Sequence, residues 1–147
     1  MQTHHSILKT AEDKRRFVLR VLQFQDESYL PISESDFEAM YSQTGIAVYE
    51  YKQDDESPRE FIDSALSHLR KTEDYCRNTV LIVSISTPKD IELMLDDMRA
   101  ISSLMSDDGY SDIRNNDEDN DIVKLGIGKS MSTDKVQLFV VFTGQCT

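Results

Sequence analysis

The chain has 147 residues and a formal net charge of −11, which fits one acidic globular domain and argues against nucleic-acid binding, because phosphate contacts need clustered Lys and Arg. Its longest apolar run, Val80 to Val83, is four residues, far below the about 20 that span a membrane, and no signal-peptide core precedes it. We therefore expect a cytoplasmic protein with no nucleic-acid and no membrane partner. Cys76 and Cys146 lack metal-site or redox spacing and are predicted to be reduced thiols.

The beginning of the chain is predicted as an N-terminal segment, residues 1–30, ahead of a domain that spans residues 31–147. Residues 1–10 are polar and are expected to be frayed. Apolar residues in 12–25 alternate as in a strand, yet they also fit one face of a helix, and we favour the helix. Residues 25–28 are predicted to form a loop.

Two capping patterns predict helix starts. Ser33 with Asp36 three residues later begins a short helix, which Gly45 ends. Ser57 and Pro58 give a stronger start, with a capping residue followed by proline at the first helical position. The second helix carries one apolar stripe, formed by Phe61, Ile62, Ala65, Leu66 and Leu69.

The strands follow from apolar patterns of two kinds. Residues 46–51 alternate as a half-buried strand does, whereas residues 80–85 are apolar on both faces, as in a central strand. Thr87-Pro88 is predicted to open a third helix, and residues 122–127 and 136–142 to form a closing antiparallel hairpin. The whole is predicted as an α+β fold with a mixed four-stranded sheet packed by two main helices.

Two segments resemble ligand-binding loops but depart from them. Gly128-Lys129-Ser130 matches the end of a phosphate-binding loop, but Val123 stands where the first glycine is required, so we interpret this segment as a Gly-rich hairpin. Within the acidic loop of residues 106–121, Asp117, Asp119 and Asp121 alternate as at the start of a calcium loop, but the required glycine is replaced by Ile122. We interpret it as an exposed acidic loop in which weak metal binding would involve Asp117, Asp119 and Asp121.

Several short motifs together resemble the C-terminal domain of the tubulin/FtsZ family. Asp36 precedes Gly45-Ile-Ala47 by nine residues, as the second loop aspartate does in that family, and Phe142-Thr-Gly144 matches its closing triplet. The resemblance covers about 115 of the 147 residues. It implies an FtsZ C-terminal-domain-like sandwich without the GTP-binding domain, since the family's Gly-rich GTP signature is absent from the sequence.

The resemblance also implies a role for the loop before the first capped helix. In the family this loop acts on the GTP of the neighbouring filament subunit, but Ser33 replaces its first aspartate and leaves Asp36 as a weak catalytic candidate that also fits a helix cap. We therefore predict a non-enzymatic protein-interaction domain without cofactor that binds or caps an FtsZ/tubulin-like filament or self-associates. Its partner-binding residues would be Asp36, Glu34 and Glu38. The alternative is a divalent-cation-dependent enzyme, or an acidic decoy protein, that uses the 106–121 loop.

Overall fold

A computed structural model of the chain describes residues 1–77, 80–103, 124–131 and 133–142. The elements, in chain order, are β1 (Gln2–Leu8), α1 (Ala11–Leu22), β2 (Glu27–Leu30), a 3-10 turn (Glu34–Phe37), α2 (Glu38–Tyr41), β3 (Ile46–Lys52), α3 (Pro58–Arg70), α4 (Glu73–Arg77), β4 (Val80–Pro88), α5 (Leu95–Ser102), β5 (Lys124–Ser130) and β6 (Gln137–Phe142).

One mixed sheet organises the described part of the chain, with the strand order β1-β3-β6-β4-β5-β2. Only β4 and β5 are parallel, and the other neighbours are antiparallel. The α+β class is therefore confirmed, but the sheet has six strands and not four. The two additional strands are the edges β1 and β2, and both come from residues 1–30.

The start of the chain is ordered, contrary to the expected fraying. Strand β1 pairs with β3 along its whole length, from Gln2 opposite Lys52 to Leu8 opposite Ile46. The predicted loop at residues 25–28 is also partly wrong, because β2 begins at Glu27 and pairs with β5. The helix favoured for residues 12–25 is confirmed as α1, whose Thr10 side chain caps the backbone amide of Asp13 at 3.1 Å.

Helices cover both faces of the sheet. Helix α3, with α5 beside it, packs on one face, and its predicted apolar stripe is buried as expected. Helix α1 packs on the opposite face with Phe37 and Met40 from the short helical turns. Strand β3 is therefore buried on both faces, and the prediction of a half-buried strand was wrong. Strand β4 is buried throughout, as predicted for a central strand.

Two predictions about the second half of the chain were wrong for topological reasons. Pro88 does not open a helix, because β4 continues through it opposite Ser130 of β5, and α5 begins only at Leu95. Strands β5 and β6 do not form a hairpin, because β4 lies between them. Strand β4 accounts for both wrong predictions, the helix start at Pro88 and the hairpin, because it pairs with β5 on one side and with β6 on the other.

The Gly-rich segment is a strand, and neither a hairpin turn nor a phosphate-binding loop. Residues Gly126 and Gly128 lie within β5, where the chain from Gln25 to Ile32 passes close to them. A Cβ atom on Gly128 would lie 2.4 Å from Gln25 Oε1 and 2.9 Å from the carbonyl oxygen of Glu27. Glycine at this position thus permits the edge strand β2 to approach β5.

Among the residues that the structure describes, none of the helices combines the length and apolar character needed to cross a membrane. Cys76 is exposed and forms no disulfide, and Cys146 lies outside the described residues.

Candidate protein-binding groove

An open groove lies between the first half of α1 and the helical turns around α2. Its volume is about 740 Å³. We call it the α1–α2 groove, and its lining residues are Ala11, Glu12, Arg15, Glu34, Ser35, Glu38 and Tyr41. Two of the three predicted partner-binding residues, Glu34 and Glu38, therefore line one surface.

Buried contacts beneath the groove hold α1 and the α2 region together. Lys14 of α1 is 3% exposed, and its Nζ donates a hydrogen bond of 2.5 Å to the carbonyl oxygen of Gln43, just after α2. Phe37 and Met40 are completely buried in the same core cluster as Phe17 of α1. These contacts fix the position of α1 relative to α2, so the groove between them is part of the packed domain.

The charges of the groove are mostly negative. Within the described parts of the chain, Glu34 and Glu38 accept no hydrogen bond and form no ion pair, whereas Glu12 pairs with Arg16 at 2.8 Å. Tyr41 is 37% exposed. Partial burial raises the pKa of Tyr41 above its ordinary value, Glu34 raises this pKa further, and Arg15 acts in the opposite direction. Both charges therefore act on the Tyr41 hydroxyl group.

Asp36, the third predicted residue, has a different position. It is half-buried and does not line the groove. One of its carboxylate oxygens accepts hydrogen bonds from the Ser33 backbone amide at 2.8 Å and from the Ser33 hydroxyl at 3.3 Å. This geometry is that of a helix cap, which stabilises the turn carrying Glu34 and Glu38. The partner-binding and catalytic roles of Asp36 stay predictions.

Comparison with known proteins gives results for the fold alone. No protein-family model matches the sequence, and no curated protein matches it either. Among solved structures, the chain is similar to an empty FtsZ dimer from M. jannaschii, with 17% identity and a TM-score of 0.49 over 81% of this chain and 33% of that one. A tryptophan-to-tyrosine mutant of the same FtsZ gives 15% identity and a TM-score of 0.48 over 81% of this chain and 34% of the other.

The chain resembles FtsZ in fold. It spans about one third of the length of the FtsZ chains to which it is similar. These solved structures belong to the family that the sequence motifs resemble. Similarity at this level concerns the fold and carries no argument about function.

The acidic loop of the sequence analysis, with Asp117, Asp119 and Asp121, lies outside the described residues. Within those residues, no group of three or more His, Cys, Asp or Glu side chains is arranged to hold a metal ion. What the described groove offers chemically is a set of hydrogen-bond acceptors beside an aromatic ring. Such a set binds cationic side chains.

Arg15 and Tyr41 are two of the five groove residues that were not predicted from the sequence. Lys14, Arg15 and Arg16 are adjacent in the sequence, but helix α1 directs their side chains apart. Lys14 is buried, Arg16 pairs with Glu12, and only Arg15 reaches the groove. Tyr41 has apolar neighbours at helical spacing, Phe37 and Met40, but unlike them it is not completely buried. Its partial exposure is decided by the position of α1, which local sequence does not contain.

Proposed function

We propose that this chain is a non-enzymatic protein-binding domain whose α1–α2 groove accepts a basic segment of a partner protein. The observation that carries the proposal is the pair Glu34 and Glu38, whose carboxylates have no hydrogen-bond or ion-pair partner among the described residues and lie beside the partly exposed Tyr41. Lys and Arg side chains complement such a surface, since a carboxylate accepts their charged N–H donors and the ring face attracts the cation.

A preformed groove also makes binding less costly. The bond from Lys14 to Gln43 and the buried contacts of Phe37 fix the two walls before a partner arrives. Less conformational entropy is then lost on binding than if a loop had to become ordered. Leu19 lies one helical turn beyond Arg15 on α1 and is 51% exposed, so it adds an apolar contact at the edge of the groove.

The partner that we propose is a subunit of an FtsZ-like filament. This choice rests on the sequence motifs, because the segment of Asp36 and Gly45-Ile-Ala47 matches the family loop that meets the neighbouring subunit. A chain that binds one end of a filament without offering the next nucleotide-binding surface would cap that filament. Association with a second copy of this chain is the other outcome that the experiment must distinguish.

Sedimentation of FtsZ polymers tests the choice of partner. Purified FtsZ from the host cell is polymerised with GTP in the presence of a stoichiometric excess of this chain, and pelleted FtsZ and filament length are measured. Capping predicts shorter filaments and less pelleted FtsZ. Unchanged filaments would refute the filament partner. Analytical ultracentrifugation of the chain alone then shows whether the chain forms dimers instead.

Charge-matched variants test the groove itself. Glu34→Gln/Glu38→Gln changes the net charge of the chain from −11 to −9. The control Asp55→Asn/Asp63→Asn makes the same change at exposed positions outside the groove. Only the first pair is expected to weaken binding, whereas equal weakening by both would mean that net charge and not the groove attracts the partner. Tyr41→Ala is expected to weaken binding about tenfold, as truncation of an interface tyrosine commonly does.

A further inference from the structure

A second cavity lies on the α1 side of the sheet, beyond the end of that helix. Its volume is about 320 Å³, which is within the range of small-molecule sites. We call it the β3–β6 pocket. The residues that matter for its chemistry are Arg20, Gln23, Phe24, Lys52, Gln137 and Phe139.

The pocket exists because the sheet face changes character where α1 ends. Under the helix, Val48 of β3 lies opposite Val141 of β6, and both are buried. Four residues further along β3, Lys52 lies opposite Gln137. Helix α1 ends at Leu22 and leaves this polar part of the face uncovered. Where a helix covers the sheet, an inner strand such as β6 usually carries apolar side chains. A glutamine on β6 beyond the end of the helix therefore indicates a surface that contacts water or a ligand.

The apolar floor of the pocket is aromatic. The rings of Phe24 and Phe139 lie nearly parallel, at an interplanar angle of 22° and a centroid distance of 6.1 Å. The segment carrying Phe24 is fixed to the sheet, since Ser86 Oγ donates a hydrogen bond of 2.7 Å to the carbonyl oxygen of Phe24. Phe24 itself is only half-buried. Phe139 is 4% exposed, so the accessible aromatic surface is the ring of Phe24, which suits a planar group on the ligand.

The charges of the pocket leave one cation without a partner. Arg20 forms an ion pair with Glu50, so these two charges cancel. The ammonium group of Lys52 forms no ion pair or hydrogen bond within the described residues, and the same holds for the side-chain amides of Gln23 and Gln137. The result is a local positive charge and two free amides in a chain whose net charge is −11.

We infer that the β3–β6 pocket binds a small aromatic carboxylate. The ring packs against Phe24, which itself stacks on the buried Phe139, and the carboxylate accepts hydrogen bonds from Lys52 and the amide of Gln137. Because the pocket is separate from the α1–α2 groove and shares no lining residue with it, this inference does not rest on the proposed function.

Nuclear magnetic resonance titration with benzoate tests the inference. Two analogues serve as controls: benzamide keeps the ring without the charge, and cyclohexanecarboxylate keeps the charge without the flat ring. Benzoate is expected to give saturable shifts at the backbone amides of Phe24, Lys52 and Gln137 below about 20 mM, the range in which so small a ligand binds. Each analogue is expected to bind about tenfold more weakly.

Variants locate the interaction. Lys52→Gln is expected to weaken benzoate binding about tenfold, whereas Lys71→Gln, at an exposed lysine after α3, should leave it unchanged. Both positions are exposed, so both variants are expected to fold. Absence of saturable shifts, equal binding of benzamide, or an unchanged affinity of Lys52→Gln would each overturn the inference. A shift pattern confined to residues outside the pocket would overturn it as well.

Discussion

Replacing Gly128 with alanine tests the close packing of β2 on β5. The new Cβ atom would lie 2.4 Å from Gln25 Oε1 and 2.9 Å from the carbonyl oxygen of Glu27. Gln25 can rotate away only by giving up its 3.2 Å hydrogen bond to Ser84 Oγ, and Glu27 O belongs to the main chain of β2. Either the hydrogen bond or the strand position must therefore change.

The expected cost follows from these contacts. Loss of the Gln25 bond costs about 1 kcal/mol, and overpacking adds about 1–3 kcal/mol. Alanine recovers about 0.5–1 kcal/mol, because glycine is intrinsically unfavourable in a strand. We expect Gly128→Ala to lower the free energy of unfolding by about 2 kcal/mol. This corresponds to a decrease in Tm of roughly 6 °C for a domain of this size.

Urea denaturation monitored by circular dichroism gives the free energy of unfolding, with Gly126→Ala as the matched control. That variant makes the same chemical change on the same strand, but its nearest contact, 3.0 Å to Ile32 Cβ, is longer than the 2.4 Å contact at Gly128 and needs a shift of only a few tenths of an ångström. Its effect should remain within about 1 kcal/mol. If Gly128→Ala proved as stable as Gly126→Ala or more stable than the natural chain, β2 would not pack on β5 as described.

Three further predictions concern other parts of the fold. Ser57→Ala removes the cap of α3 and should lower the free energy of unfolding by about 1 kcal/mol, whereas an unchanged denaturation midpoint would contradict the capping role. Burial raises the pKa of Tyr51 above its value in the unfolded chain. The free energy of unfolding is therefore unaffected by this group below about pH 10 and falls above it by up to about 1.4 kcal/mol per pH unit. Tyr51→Phe should flatten that decline in alkaline denaturation curves. Lys129 is buried and donates hydrogen bonds to two carbonyl oxygens and to the exposed Glu92. Lys129→Met should therefore lower the free energy of unfolding by about 2 kcal/mol, and Glu92→Gln by less than about 0.5 kcal/mol. Equal losses would mean that the two carbonyl bonds are not the main contribution of Lys129.

Local signals in the sequence were sufficient where the structure is decided locally. The Ser57-Pro58 start of α3 and its apolar stripe depend only on residues three or four apart, and both are confirmed. The apolar strand β4 was recognisable because burial on both faces leaves no polar alternation. The capping pair Ser33 and Asp36 likewise forms within one turn.

The remaining features depend on partners that are distant in the chain. Strand β1 has mostly exposed side chains, so its sequence has no apolar alternation, and its pairing with β3 decides its structure. The end of β4 at Pro88 depends on its partner Ser130, and the separation of β5 from β6 depends on the path of β4. A proline at a strand end and a proline at a helix start look alike in sequence.

The same distinction applies to the α1–α2 groove. Glu34 and Glu38 were predicted because they flank a recognisable cap and a family-like loop. Arg15 and Tyr41 join them only because α1 packs beside α2, through the bond from Lys14 to Gln43 and the buried Phe37. The acids were therefore accessible to sequence reasoning, and the groove they line was not.

The most direct test of the proposed function is a calorimetric titration of host FtsZ into this chain, performed on the natural sequence, on Glu34→Gln/Glu38→Gln and on the control Asp55→Asn/Asp63→Asn. The proposal predicts saturable binding by the natural chain and the control, and affinity at least about tenfold weaker for the groove variant. Absence of binding by the natural chain would contradict the filament partner, and equal affinity of the two variants would contradict the groove.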